Sequence, residues 1–279
     1  MKKNKLRLAG IEISSQNKII FPEKKITKGQ MAQYYYRIAD HMLPYMKNRP
    51  LTLQRFPGGI RGKGFYQKNV SDYFPDFIPT VDIETEEGIN KQIICNSKKT
   101  LLYLVNQNTV IFHIWLSRKD KLRQPDRIVF DLDPPKNAFS QVKQAAVILR
   151  EFLIRRGKSP SLMTTGKGGL HLFYYQRRGK DFDSIKAEVR ALAEEIEQEF
   201  PDIFTTSIRK NKREGKIFLD YLRNEYAQTA VCPYSLRATE DAGIATPIHW
   251  EELEQLNSSG DFHIGNIFDN IKTRPKPKK

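Results

Sequence analysis

Residues 127–134 read Arg127-Ile-Val-Phe-Asp-Leu-Asp-Pro134, an apolar run that ends in two carboxylates two positions apart. Side chains alternate faces along a strand, so Asp131 and Asp133 are expected on the same face. Carboxylates held side by side repel each other unless a cation lies between them. Pro134-Pro135 cannot continue a hydrogen-bonded ladder, so the strand is expected to stop there. The stretch predicts a divalent-metal site at the rim of a sheet.

Helical and extended patterns alternate around this strand. Thr27-x-x-Gln30 is a capping box, and Met31, Tyr34, Ile38 and Met42 follow at helical spacing before Pro44. A short helix is expected from Ser97 to about Asn106, then strands over Thr109–Leu116 and Arg127–Asp131. Ser140 reads as the cap of a long helix striped by Val142, Ala146, Leu149 and Phe152/Leu153 and closed by Gly157. Leu170–Tyr175 reads as a strand, Asp183–Phe200 as a helix, Lys216–Leu222 as a strand and Trp250–Leu256 as a last short helix. The interleaving, with several long connections, predicts an α+β (mixed α/β) fold with a central mixed sheet flanked by helices. No repeat or break in composition divides residues 1–272, which read as one domain. Residues 273–279 are rich in Pro and Lys and read as a mobile tail, either a free end or the start of a linker.

The 279 residues are 39% hydrophobic and include 16 Phe, enough for a folded core. A net charge of +15 calls for a polyanionic partner, nucleic acid or anionic membrane. No apolar stretch approaches the ~20 residues that span a bilayer. The basic N-terminus also lacks the apolar segment of a signal peptide. Nucleic acid is therefore the preferred partner, no membrane is expected, and the compartment is read as cytoplasmic. Cys95 and Cys232 stand in unrelated contexts and form neither a disulfide framework nor a Cys-x-x-Cys motif, and the five His show no zinc-ligand spacing.

Asp-x-Asp before proline is also a common strand-end turn. A third carboxylate tips the balance: Asp220 closes Lys216-Ile-Phe-Leu-Asp220, again at the end of an apolar run. Three carboxylates on two strands can hold two divalent ions ~4 Å apart for phosphoryl or nucleotidyl transfer. Mg²⁺ and Mn²⁺ take such oxygen ligands. In Thr164-Thr165-Gly-Lys167-Gly-Gly-Leu-His171, close glycines let backbone approach a phosphate and the lysine adds charge. The spacing is not that of a P-loop, and a plain hairpin turn is the alternative. Arg223 and Arg237 bracket a segment containing Gln228 and suit bidentate phosphate binding, with scattered surface arginines as the alternative. His113, in an apolar strand, reads first as a hydrogen-bonded core residue. Gly58–Lys68 mixes glycine, basic and aromatic residues that can track a nucleic-acid backbone and stack on a base. Lys18 and Lys28 flank the Phe21-Pro22 turn and form either a second basic spot or solvated surface.

Taken in this order, the segments resemble the polymerase domain of bacterial DNA ligase D, of the archaeo-eukaryotic primase superfamily, which serves non-homologous end joining. The resemblance runs over nearly the whole chain. It rests on Asn17-Lys-Ile-Ile-Phe-Pro22, Thr27-Lys-Gly with the tyrosines that follow, Arg49-Pro-Leu-Thr-Leu-x-Arg55, Gly64-Phe-Tyr-Gln-Lys68, Val129-Phe-Asp-Leu-Asp-Pro134, Gly169-Leu-His-Leu172, and the two blocks Asp220-Tyr-Leu-Arg-Asn224 and Gln228-Thr-Ala-Val-x-Pro-Tyr-Ser-Leu-Arg237. It implies nucleotidyl transfer from an NTP or dNTP to a 3′-hydroxyl, with two divalent ions, Mn²⁺ or Mg²⁺, on Asp131, Asp133 and Asp220, and a family preference for ribonucleotides and Mn²⁺. It places Thr165, Lys167, His171 and Arg237 on the triphosphate, and adds Arg223, Gln228, Arg55 and His113 to the nucleotide site. Phe65 or Tyr66 would stack near the templating base, Lys68 would touch DNA, and Lys18 and Lys28 would grip the 5′-phosphate of a broken or gapped end. The implied partners are gapped or broken DNA, Ku and a DNA ligase, with the chain a monomer in the nucleoid.

The chain departs from the family pattern in three places. Thr165 stands where the family usually has Ser, Lys167 is one residue farther from His171 than the family's lysine, and His113-Ile-Trp115 replaces His-Pro-Trp. There is no ligase Lys-x-Asp-Gly motif and no nuclease module, so the chain reads as a stand-alone enzyme or a module of a longer one. Two rival readings are a DNA-end binding module that recruits a ligase, and a haloacid-dehalogenase-type phosphatase with Asp131 as nucleophile. The phosphatase would want Thr or Val at position 135, which is Pro135 here.

Overall fold

In the computed structural model, which describes residues 5–277 except 86–87 and 136–137, the 127–133 run is a strand through to Asp133. It lies third in a six-stranded sheet ordered Phe204–Thr205, Ile217–Asp220, Arg127–Asp133, Leu170–Tyr175, Ser161–Thr164, Pro247–Ile248. Neighbours are antiparallel except for the first two, which are parallel, so the sheet is mixed. Alternation decides what each face does. Ile128, Phe130 and Leu132 pack with Leu170, Leu172, Ile217 and Leu219 against the helices Phe139–Arg155 and Phe182–Glu199. Val129 and Phe173 point the other way, into a second core. Asp131, Asp133 and His171 share that second face.

The second core is built on a sheet that the sequence reading does not anticipate. Thr229–Val231, Thr109–Trp115, Leu51–Arg55 and Phe65–Gln67 form four antiparallel strands, with the helices Lys28–Met46 and Lys98–Asn106 packed into the same core. The expected central mixed sheet is thus joined by a second, antiparallel one. Each buried Leu, Ile or Phe contributes roughly 1.5–3 kcal/mol, so these two clusters hold the sheets in place.

Local chemistry sets most element ends. Thr27 Oγ1 accepts from Gln30 N at 3.2 Å and Gln30 Oε1 accepts from Thr27 N at 2.8 Å, completing the capping box. The helix then passes Pro44 and ends at Met46. Proline removes one amide in the last turn, and the carbonyl it leaves belongs to exposed Asp40, where water can reach it. Ser140 is not a cap: the helix starts from Ala138 with no side-chain cap bond, because Phe139 is drawn onto the core and places Ser140 inside the first turn. Gly157, at φ +71°, follows this helix as expected. The strand ending at Asp220 does not continue to Leu222, because Asp220 Oδ1 accepts Leu222 N at 2.9 Å and turns the chain into a 3₁₀ turn over Leu222–Asn224.

The basic tail is partly tied down. Thr273 O lies 2.7 Å from His249 Nε2, and Tyr45 OH donates to Pro275 O at 2.8 Å. Arg274 is buried, pairs with Glu252 and lies over the Phe262 ring. Residues 273–275 therefore belong to the folded body rather than to a mobile tail, while Lys278 and Lys279 lie outside the described residues. Among the described residues no helix is long and apolar enough to cross a membrane.

Candidate active site

Strand register gathers the carboxylates. Asp131 pairs across the ladder with His171 on one side and with Asp220 on the other. Asp131 and Asp220 are buried and Asp133 is half-buried. His171 Nε2 lies 3.2 Å from Asp131 Oδ1. The turn after Asp220 brings Arg223 back over the pair, with Nη2 3.5 Å from Asp131 Oδ2 and Nε 3.3 Å from Asp220 Oδ2. That turn is pinned to the carboxylate strand by Asn224, whose Oδ1 accepts Val129 N at 2.9 Å and whose Nδ2 donates to Val129 O at 2.7 Å.

Burial alone would raise the Asp131 carboxyl, but His171, Arg223 and Arg237 outweigh it and hold it below the usual range. Asp133 is pushed up to about 6 by burial and by the charges of Asp131 and Asp220. Burial also raises Asp220, with Arg223 opposing. Burial and mutual repulsion thus raise Asp133 and Asp220, while the neighbouring cations keep Asp131 charged. Three hard oxygen donors on adjacent strands are the chemistry that Mg²⁺ or Mn²⁺ takes, so the donor set fits a divalent ion. Among the described residues, however, no three acidic, His or Cys side chains are drawn together closely enough to enclose one. In this arrangement the Arg223 guanidinium bridges Asp131 and Asp220 instead.

A cleft of ≈ 410 Å³ opens over the carboxylates, lined from the other sheet by His113 and by Thr229, Ala230 and Val231. Lys167, Arg223 and Arg237 complete its wall. The glycine loop lies against the carboxylate strand, since a Cβ on Gly169 would stand 2.3 Å from Leu132 O. Gly166 takes φ +69°, a conformation that favours glycine. Thr165 Oγ1 lies 3.0 Å from Gly169 O and accepts Gly169 N at 3.1 Å, so the hydroxyl expected on the triphosphate is engaged within its own loop. Arg237 Nη1 donates to Thr165 O at 3.1 Å, and burial pulls the Arg237 pKa down. Burial and the charges of Arg237 and Arg223 push His113 down to about 3, which leaves its imidazole neutral near pH 7.

The sequence profile described as "LigD, primase-polymerase domain" matches residues 27–278. The chain belongs to the LigD primase-polymerase domain family. It is 34% identical over 269 residues to the bifunctional non-homologous end joining protein LigD of Bacillus subtilis (strain 168), covering 96% of this chain and 43% of that protein. Against the multifunctional LigD of Pseudomonas aeruginosa it is 30% identical over 260 residues, covering 93% of this chain and 31% of that one. The chain thus spans less than half the length of these curated LigD relatives. The polymerase domain from Mycobacterium tuberculosis ligase D, solved in complex with DNA, has the same fold, with a TM-score of 0.88, 25% identity and 94% of each chain covered.

Among the residues expected for a LigD-type site, the structure brings Asp131, Asp133, Thr165, Lys167, His171, Arg223, Arg237 and His113 around one cleft, with Asp220 beside Asp131. Lys167 is exposed, has no ion-pair partner among the described residues, and stands where this cleft meets a second one of ≈ 460 Å³. Lys210, Arg213 and Lys216 line that second cleft; the basic run Arg209-Lys-Asn-Lys-Arg213 was the available signal for the first two. Arg55 and Gln228 are set apart from the LigD-type cleft. Arg55 is buried and donates to Gln107 O and Gln67 Oε1, each at 2.7 Å, which fastens the edge strand Phe65–Gln67. Gln228 is exposed, and the wall there comes from Thr229 to Val231.

Phe65 and Tyr66 are exposed on that edge strand, with the Tyr66 ring 6.1 Å from that of His113 at the cleft rim, and Lys68 is exposed just beyond. Lys18 and Lys28 come from opposite ends of the turn. Lys18 Nζ donates to Pro57 O. Lys28 is buried rather than solvated, and its Nζ donates to Ser14 Oγ at 2.9 Å. Burial, then the charges of Lys18 and Arg55, bring Lys28 down to about 8.

Proposed function

We propose that the chain is a template-dependent nucleotidyltransferase that adds NTPs or dNTPs to 3′-hydroxyls at DNA gaps and ends during non-homologous end joining. The observation that carries this reading is one cleft in which Asp131 and Asp133 face Lys167, Arg223 and Arg237. Joining a sugar hydroxyl to a triphosphate needs anionic ligands for divalent ions on one side and cations for the phosphates on the other. Asp131, Asp133 and Asp220 would hold Mn²⁺ or Mg²⁺, and ions bound there would lower the pKa of the attacking hydroxyl and neutralise charge on the leaving pyrophosphate.

The chain's own residues do the remaining work. Arg237 offers a planar guanidinium to the triphosphate, and Lys167 a mobile point charge at the rim. Neutral His113 can give one hydrogen bond to the nucleotide without adding charge. Phe65 or Tyr66 would stack on the templating base, and Lys18 and Lys28 would take a 5′-phosphate. The net charge of +15 would add salt-dependent, sequence-independent DNA affinity. The DNA held by the Mycobacterium tuberculosis domain supports a DNA substrate, and the relatives' names support the pathway, in which Ku and a ligase would be partners in the cytoplasm.

The test is extension of a primer across a gap bearing a 5′-phosphate, with Mn²⁺ and NTPs. Failure to extend with DNA binding intact would leave an end-binding module. Hydrolysis of a simple phosphomonoester would point to the phosphatase. Within the same assay, Lys167→Ala is expected to raise the NTP KM ~10–100-fold, the loss of a charge-assisted hydrogen bond worth about 1.5–3 kcal/mol, with DNA Kd unchanged. An unaltered KM would remove Lys167 from the triphosphate site.

A further inference from the structure

Ser259 lies in the Asn257-Ser-Ser-Gly260 turn, far along the chain from the glycine loop, and is 1% exposed. Its hydroxyl is built into that loop. Ser259 Oγ accepts Thr165 N at 3.0 Å and Gly166 N at 3.1 Å, and donates to Gly169 O at 2.7 Å. A serine hydroxyl has one proton and two lone pairs, so these three bonds use it fully, and Thr165 Oγ1 also lies 3.2 Å from it. They join the first residues of the 165–169 loop to its last. Thr165 N has a second acceptor in Gly169 O at 3.1 Å, whereas Gly166 N turns to Ser259. The turn that carries Ser259 is itself braced, because Asp261 accepts Asn257 N at 2.7 Å and Ser258 Oγ at 2.6 Å.

We infer that Ser259 is a positioning residue for the incoming nucleotide, holding the Thr165–Gly169 backbone so that Lys167 and the loop amides meet the triphosphate in one geometry. This rests on the nucleotidyltransferase reading above. Gly166, Gly168 and Gly169 give the loop wide conformational freedom, and a loop ordered only on binding loses affinity to that ordering. Ser259 removes the freedom in advance without touching the nucleotide. Nothing local in the sequence marks it, since its bonds span the chain.

The experiment is steady-state primer extension by the full chain, with nucleotide concentration varied. Ser259→Ala is expected to raise the NTP KM about tenfold, as lost buried hydrogen bonds do, with kcat and DNA Kd changed by less than about twofold. Ser259→Thr, which keeps the hydroxyl, should bring KM back toward the wild-type value. If Ser259→Ala does not fold, Ser259→Cys keeps the volume with a poorer acceptor and reads the same split between KM and kcat. A KM unchanged in these variants, with the wild type extending normally, overturns the Ser259 assignment alone. Joint loss of KM, kcat and DNA binding overturns it too, in favour of a merely structural serine. A wild type that extends nothing overturns the nucleotidyltransferase reading, and the Ser259 assignment with it.

Discussion

Asp131→Asn is expected to cut primer extension by ~10³-fold or more in kcat while DNA Kd stays within about twofold, because several kcal/mol of transition-state charge stabilisation depend on that carboxylate. Asparagine keeps an oxygen for His171, and Arg223 keeps Asp220 as a partner at 3.3 Å, so the change removes charge with little loss of contacts. The unfolding midpoint without added metal should fall modestly at neutral pH, since His171, Arg223 and Arg237 favour the charged Asp131 in the fold, and relief of the repulsion that pushes Asp133 up to about 6 offsets only part of that loss. Asp131→Ala should give the same loss of activity. Extension that survives either substitution would sink the role of Asp131 in holding metal. A large fall in the midpoint with parallel loss of DNA binding would trace the effect to folding instead.

The shared face of Asp131 and Asp133 was legible because strand alternation is a local property of the backbone. Asp220 was legible as the end of a second apolar run. Their meeting was not, since Asp131 opposite both His171 and Asp220 is a matter of long-range register. The four-stranded sheet was missed because its strands Phe65–Gln67 and Thr229–Val231 are only three residues long, too short for periodicity to speak. Side-chain fate was the least legible. Lys28 and Arg55 look alike in sequence to any surface cation, yet packing buries both and gives Lys28 a serine and Arg55 a set of carbonyl and amide partners. Thr165 carried the right signal for a phosphate loop, but Gly169 backbone and the Ser259 hydroxyl already engage its hydroxyl.

Asp126→Ala is expected to cost about 3–5 kcal/mol of stability, because it leaves a buried guanidinium unpaired. Arg49, 2% exposed, places Nη2 2.6 Å from Asp126 Oδ1, and its Nη1 donates to Trp115 O and Ser117 O at 3.3 Å each. Arg118 Nε holds the other Asp126 oxygen at 2.7 Å. Asp126 immediately precedes the carboxylate strand of the six-stranded sheet, and Arg49 nearly adjoins the Leu51–Arg55 strand of the other, so the pair bolts the two sheets together. In thermal unfolding the loss should lower the midpoint by roughly 10 °C or more. Asp120→Ala is the control: its pair with Arg178 at 2.5 Å is half-exposed and should matter by less than about 1 kcal/mol. Replacing both partners, as in Arg49→Met with Asp126→Ala, should recover much of the single-variant loss, since no charge is then stranded in the interior. Equal losses at Asp126 and Asp120, or a double variant no better than Asp126→Ala alone, would show that stranded charge is not the cause. Because Asp126 and Asp133 stand at opposite ends of one strand, about 23 Å apart in an extended chain, kcat per folded molecule should be untouched.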